Sequence, residues 1–100
     1  MRPRFIEAKQ SELARICTEH DISYLGLFGS YARGDNRPNS DVDLLVDFSA
    51  RKSLFGVARA HLAFEDLLRQ KVDLVIRKNL KPLIRPSIER DLMTLYEVIA

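Results

Sequence analysis

The sequence predicts an α/β protein, with a small mixed sheet of about four strands and helices packed against it. Three observations carry that expectation. Stretches with apolar residues at helical spacing alternate with short apolar or β-branched runs, in the order α-β-α-β-α-β-α-β. The junctions between them are rich in Gly, Pro, Asn and Asp. One hundred residues suffice for one core and leave little material for a second, so residues 1–100 are expected to form a single domain.

Each element has its own justification. Residues 5–20 read as a helix, because Ile6, Leu13, Ile16 and Cys17 fall close to one face and Pro3 precedes the start. Tyr24 to Phe28 is a short apolar strand. Gly29 to Gly34 is a turn with room for one helical turn ended by Gly34. Asp35 to Ser40 is dense in loop formers, and Asp41 to Phe48 is the second strand. A long helix is expected from about Ser53 to Arg69, with Leu54, Val57, Ala58, His61, Leu62, Glu65 and Leu68 at helical spacing. Val72 to Ile76 is a third strand. Leu80 to Asp91 has helical character, and Pro86 should kink it or divide it into two pieces. Thr94 to Ile99, β-branched and aromatic, suggests a fourth, edge strand.

Composition narrows the function. Hydrophobic content of 46% with 30% charged residues is that of an ordinary soluble chain. The net charge of +2 is too small to argue for nucleic-acid binding, so direct contact with nucleic acid is not expected. One cysteine, Cys17, excludes an intrachain disulfide framework and suits a reducing cytoplasm; its apolar helix face points to core packing. No apolar stretch reaches the roughly 20 residues of a membrane span, and no signal-peptide h-region is present.

The chemistry is concentrated in two short stretches and one distant acid. Gly29-Ser30 ends the first apolar run, and Asp41-Val42-Asp43 opens the second. Side chains at i and i+2 of a strand share a face, so Asp41 and Asp43 would project together with Cα atoms roughly 6.5 Å apart. Such a pair suits Mg²⁺, which takes oxygen ligands and leaves positions open for phosphates. The Gly29-Ser30 backbone could approach those phosphates closely. Asp73 sits between Val72 and Leu74, where a carboxylate is costly unless paired, protonated or metal-bound. Together the three acids are a candidate triad for in-line nucleotidyl transfer. Two would hold the metal carrying a triphosphate; the third would help bind a second metal and take a proton from the incoming hydroxyl.

Gly29-Ser30-x-Ala32-Arg33-Gly34, then Ser40-Asp41-x-Asp43-Leu44, with Asp73 downstream, resembles the DNA polymerase beta-like nucleotidyltransferase superfamily. More closely, it resembles the minimal nucleotidyltransferase (MNT) antitoxins of prokaryotic toxin–antitoxin pairs, from about Tyr24 to Tyr96 and with no departure from the motif. The resemblance implies the minimal nucleotidyltransferase fold, ATP as substrate, Mg²⁺ as cofactor and transfer of AMP. It implies Asp41, Asp43 and Asp73 as catalytic and metal-binding residues and Gly29 and Ser30 as triphosphate contacts; beside these, Arg33 and Ser40 are further candidates for nucleotide binding by their place in the two stretches. It also implies a partner, a helical HEPN-type ribonuclease toxin, modified on a tyrosine and held with the antitoxin in a hetero-oligomer. Two alternatives stay open: an antitoxin that neutralises by binding alone, and a transferase acting on RNA or a small molecule.

Other residues have double readings. Arg33 either contacts phosphate or pairs with a carboxylate such as Asp35. Ser40 can cap the loop beside Asp41. Asp47 shares the face of Asp43 but lies beyond the metal site, and Tyr31 either nears the nucleotide or packs the loop. His61 is expected half-buried on its helix, and His20 at a helix C-terminus. Arg77, Lys78, Lys81, Arg85 and Arg90 form either a solvated face or a surface for a partner protein.

Overall fold

The computed structural model describes residues 3–99, which form a four-stranded sheet flanked by helices. In chain order these are α1 (Arg4–Glu7), α2 (Gln10–Glu19), β1 (Ile22–Phe28), α3 (Ser30–Arg33), β2 (Val42–Phe48), α4 (Leu54–Leu68), β3 (Val72–Ile76), α5 (Arg85–Asp91) and β4 (Met93–Glu97), with a 3-10 turn at Arg77–Asn79. The sheet order is β3-β2-β1-β4; β1 pairs antiparallel with β2 and β4, while β2 and β3 run parallel. The sheet is therefore mixed, as the sequence predicts, and β4 is an edge strand.

Alternation along the strands separates two faces. Val42, Leu44 and Val46 of β2, with Leu25 and Leu27 of β1, face the main core, which Leu13, Ile16 and Cys17 of α2 and Ala60, Phe64 and Leu68 of α4 complete. Leu45, Tyr24, Phe28 and Val75 face the other way and are covered by Leu80, Ile88 and Leu92 from the segment before β4. Burial pushes the Cys17 thiol up to about 12, in keeping with a packing role.

Three sequence expectations are corrected. The first helix is two, broken at Ala8-Lys9, where the Lys9 N–H turns back to the Ile6 carbonyl; α1 is a separate turn that buries Ile6 in the main core and sets Phe5 edge-to-face on Tyr31 at 5.2 Å. Pro86 neither kinks nor divides a helix. It lies in the first turn of α5, where its missing N–H has no intrahelical partner to lose, and residues 80–84 are a turn. On α4 the buried stripe is Gly56, Ala60, Phe64 and Leu68, while Leu54 is 89% and Leu62 62% exposed. The small residues Gly56 and Ala60 turn inward, which sets the expected stripe partly outward.

Candidate active site

The strand-to-helix turn after β1 shapes the site. Gly29 has φ +76°, a left-handed conformation that side chains rarely adopt, and it leads into α3, which Gly34 ends at φ +87°. A Cβ on Gly29 would fall within the van der Waals radius of Asp43 Oδ2. The backbone at Gly29 thus lies directly against the carboxylate of Asp43, whose Cα is paired with Phe28 in the β1–β2 ladder.

The parallel ladder of β2 and β3 supplies the next acid. Asp73 is the register partner of Asp43, and paired residues in neighbouring strands share a face. Asp41 directly precedes β2. Burial, then the Asp73 and Asp41 carboxylates, push the Asp43 carboxyl above its ordinary value, with Arg33 opposing. Asp43 is therefore near enough to both Asp41 and Asp73 to feel their charge. Among the described residues no three Asp, Glu, His or Cys side chains close into a preformed metal cage. The donor set is all-oxygen and carries surplus negative charge, which fits a hard divalent cation such as Mg²⁺. Asp73 corrects one step of the sequence argument. It is exposed, because β3 is an edge strand, so the desolvation cost assigned to it falls on half-buried Asp43 instead.

Asp43 opens onto a cleft of about 610 Å³ between the Gly29 turn and α5, whereas Asp41 and Asp73 stand outside its lining. Gly29, Ser30, Arg33 and Asp43 line one side; Ser87, Arg90 and Asp91 of α5 line the other. Arg33 makes both contacts of a brace: its guanidinium donates to Asp91 at 2.9 Å and to Asp35 at 3.1 Å, and these bonds hold its pKa above the ordinary value. Ser40 lies outside the cleft lining and closes the 37–40 turn, its Oγ accepting from the Arg37 N–H at 2.8 Å. Tyr31 is buried in loop packing. Asp47, 9% exposed, is committed to Arg77, which also stacks 4.0 Å over the Tyr24 ring.

The sequence reading missed Ser87 and Asp91 and placed Arg90 on a solvated or partner face. The available signal was their mutual spacing: Ser87 is three positions before Arg90 and four before Asp91, so on a helix the three share one face. It also missed the clamp on β3. His61 Nε2 donates to the Val72 carbonyl at 2.6 Å, and the Val72 N–H donates to Glu65 at 2.9 Å, so α4 grips the strand one residue before Asp73.

The turn, paired acids and cleft define a nucleotidyltransferase, and comparison with known proteins agrees. The nucleotidyltransferase domain model matches residues 11–94, and the chain belongs to that family. It is 41% identical over 72 residues to the protein adenylyltransferase MntA of Thermococcus cleftensis, covering 72% of this chain and 73% of that one. Its fold superimposes on a solved structure described as a minimal nucleotidyltransferase with a TM-score of 0.79 and 35% identity, over 93% of this chain and 95% of the other. A TM-score of 0.70 at 15% identity relates it in fold to the MNT antitoxin solved with a tri-AMPylated HEPN toxin of Shewanella oneidensis, over 93% of this chain and 73% of that one.

Proposed function

We propose that this chain transfers AMP from ATP to a tyrosine of a HEPN-type ribonuclease toxin and so acts as the antitoxin of a toxin–antitoxin pair. The observation that carries the reading is the Gly29 backbone set against Asp43 in the wall of a cleft, with Asp73 in register beside Asp43 on the neighbouring strand. The relatives support the acceptor class: one is named a protein adenylyltransferase, and a fold neighbour was solved with an AMPylated toxin.

In this reading Asp41 and Asp43 hold Mg²⁺, and Asp73 helps hold a second ion. Held by these residues, Mg²⁺ would supply positive charge against the triphosphate and the developing charge on pyrophosphate. The backbone at Gly29 and Ser30 binds the phosphates, because no side chain at position 29 keeps them away from Asp43. Asp73, exposed on its edge strand, is reachable by the acceptor and takes the proton of the tyrosine hydroxyl. The oxygen bonds to the α-phosphorus, the bond from that phosphorus to the bridging oxygen breaks, and pyrophosphate leaves. Arg33 reaches phosphate by exchanging one of its two carboxylate partners, and Ser40 sets the turn that delivers Asp41. No helix among the described residues is long and apolar enough to cross a membrane. A cytoplasmic setting, in keeping with the single buried thiol, is part of the same proposal.

The test is transfer of labelled AMP to the product of the neighbouring gene. Asp41→Ala, Asp43→Ala and Asp73→Asn are each expected to abolish transfer while the fold persists, because each removes charge stabilisation worth several kcal/mol in the transition state. Wild-type transfer by Asp43→Ala would refute the assignment.

A further inference from the structure

A second cavity, of about 550 Å³, lies where β2 and β3 end. The two strands are parallel, so Asp43 and Asp73 share one end of the sheet and Phe48 and Ile76 lie toward the other. From Asp43 to Phe48 the strand spans about 16 Å, and the cavity shares no lining residue with the cleft.

Its lining has two chemical halves. Phe48, Val57 and Ile76, all half-buried, offer an apolar floor. Arg51, Lys52 and Lys78 form the rim, and no carboxylate lines it. Lys52 is neutralised by Asp21 at 2.6 Å. Arg51, on the loop after β2, and Lys78, on the turn after β3, have no ion pair among the described residues. Neighbouring Arg77 is already taken by Asp47 and Tyr24. Asn79 adds an exposed amide, one donor and one acceptor group side by side.

We propose that this cavity is a second nucleotide site, with the base against Phe48, Val57 and Ile76 and the phosphate between Arg51 and Lys78. The volume falls within the ~300–1,000 Å³ of small-molecule sites. A bare inorganic anion would leave the apolar floor in contact with water. A neutral apolar ligand would bring no charge to two uncompensated cations. A nucleotide satisfies both halves, and the amide of Asn79 suits the N6/N7 edge of adenine. The site stands independently of the transfer reaction at the other end of the sheet.

The experiment is a calorimetric titration of the full chain with AMP in EDTA, repeated with inorganic phosphate. Wild type is expected to bind one AMP here, with phosphate at least tenfold weaker. Arg51→Glu/Lys78→Glu should weaken AMP at least tenfold, and Ser30→Glu, which places a carboxylate in the cleft, should leave it unchanged. If the double reversal does not fold, Asn79→Ala carries the test at an exposed position. Its AMP affinity should fall several-fold while that for phosphate stays level. No AMP binding by wild type, loss in Ser30→Glu with retention in the double reversal, or unchanged AMP affinity in Asn79→Ala would each overturn the proposal. So would phosphate binding as tightly as AMP, which would mark an adventitious ion only.

Discussion

At Gly29 two constraints fall on one atom: a positive φ that disfavours a Cβ, and an Asp43 carboxylate in the place that Cβ would take. Its ψ of −155° puts Gly29 in a region open essentially to glycine alone, so the conformational cost of Gly29→Ala is about 1–3 kcal/mol, and the contact adds displacement of Asp43. We expect a lowered thermal midpoint together with loss of Mg²⁺–AMP-PNP binding in calorimetry; Ser30→Ala should lose only about 0.5–1.5 kcal/mol of binding, one hydrogen bond. Undiminished nucleotide binding by Gly29→Ala would place the phosphates elsewhere. Asp43 gives a second prediction, for the metal-free protein. Its folded-state pKa is raised, so between the ordinary value of 3.8 and that raised value the folded state holds more protons than the unfolded one, and stability falls as pH rises through the interval. Asp43→Asn should therefore be more stable than wild type at neutral pH, with the gap narrowing on acidification below the carboxylate range. Urea denaturation in EDTA at a series of pH values measures this, and a gap that widened toward low pH would contradict it.

Among the elements, the strands and the Gly29 turn were legible because each had a local cause: alternation, a glycine at a forced turn, an acid pair opening an apolar run. The face of α4 was not. Its sequence from Leu54 to Leu68 is apolar on several sides, so helical spacing alone cannot say which side meets α2 and β3. The partner of Arg77 was also out of reach, since it depends on β3 lying beside β2, which places Arg77 on Asp47 thirty positions away. The same was true of the Glu65–His61 grip on Val72, which is tertiary. Of the two, the grip on Val72 adjoins the site, one residue before Asp73, while the Arg77–Asp47 pair ties β2 to β3 at the other end of the sheet. Removing Arg77 strands a nearly buried carboxylate that also has an oxygen, Oδ1, without a hydrogen-bond partner among the described residues. We expect Arg77→Met to cost about 3 kcal/mol, the low end for a broken buried pair because Arg77 is partly exposed. Asp47→Leu/Arg77→Met should recover most of that loss in chemical denaturation; if the double variant is as unstable as Arg77→Met, the stranded charge is not the cause. On α4, Glu65→Ala leaves the Val72 N–H unpartnered and should cost about 1–3 kcal/mol, with Glu65→Gln, which still offers an acceptor oxygen, restoring most of it. Equal losses in the two variants would assign the effect to packing.

Across the whole molecule, the Asp41, Asp43 and Asp73 end of the sheet is acidic and the Arg51 and Lys78 end cationic, within a chain of net charge +2. The acid end has the cleft and, on the edge strand beside it, the exposed Asp73, open to an acceptor that approaches from outside the sheet. An acceptor that brings its own binding surface, a partner protein, meets that geometry. Transfer and simple occlusion then differ in what remains after the chain is removed. Incubated with ATP, Mg²⁺ and the product of its neighbouring gene, the chain should add one or more AMP units to that partner, read as intact mass. Each unit replaces a hydroxyl with a charged phosphodiester, which on a nuclease surface opposes RNA through repulsion and bulk. Neutralisation should therefore persist once the chain is removed, and Asp41→Ala/Asp43→Ala should not protect. An occluding binder would leave the mass unchanged and protect in stoichiometric amounts even as the double variant. A binder has no physical use for two acids crowding the carboxylate of Asp43 beside a turn whose glycine that carboxylate requires. Full protection by a variant lacking all three, with no change in partner mass, would establish occlusion instead.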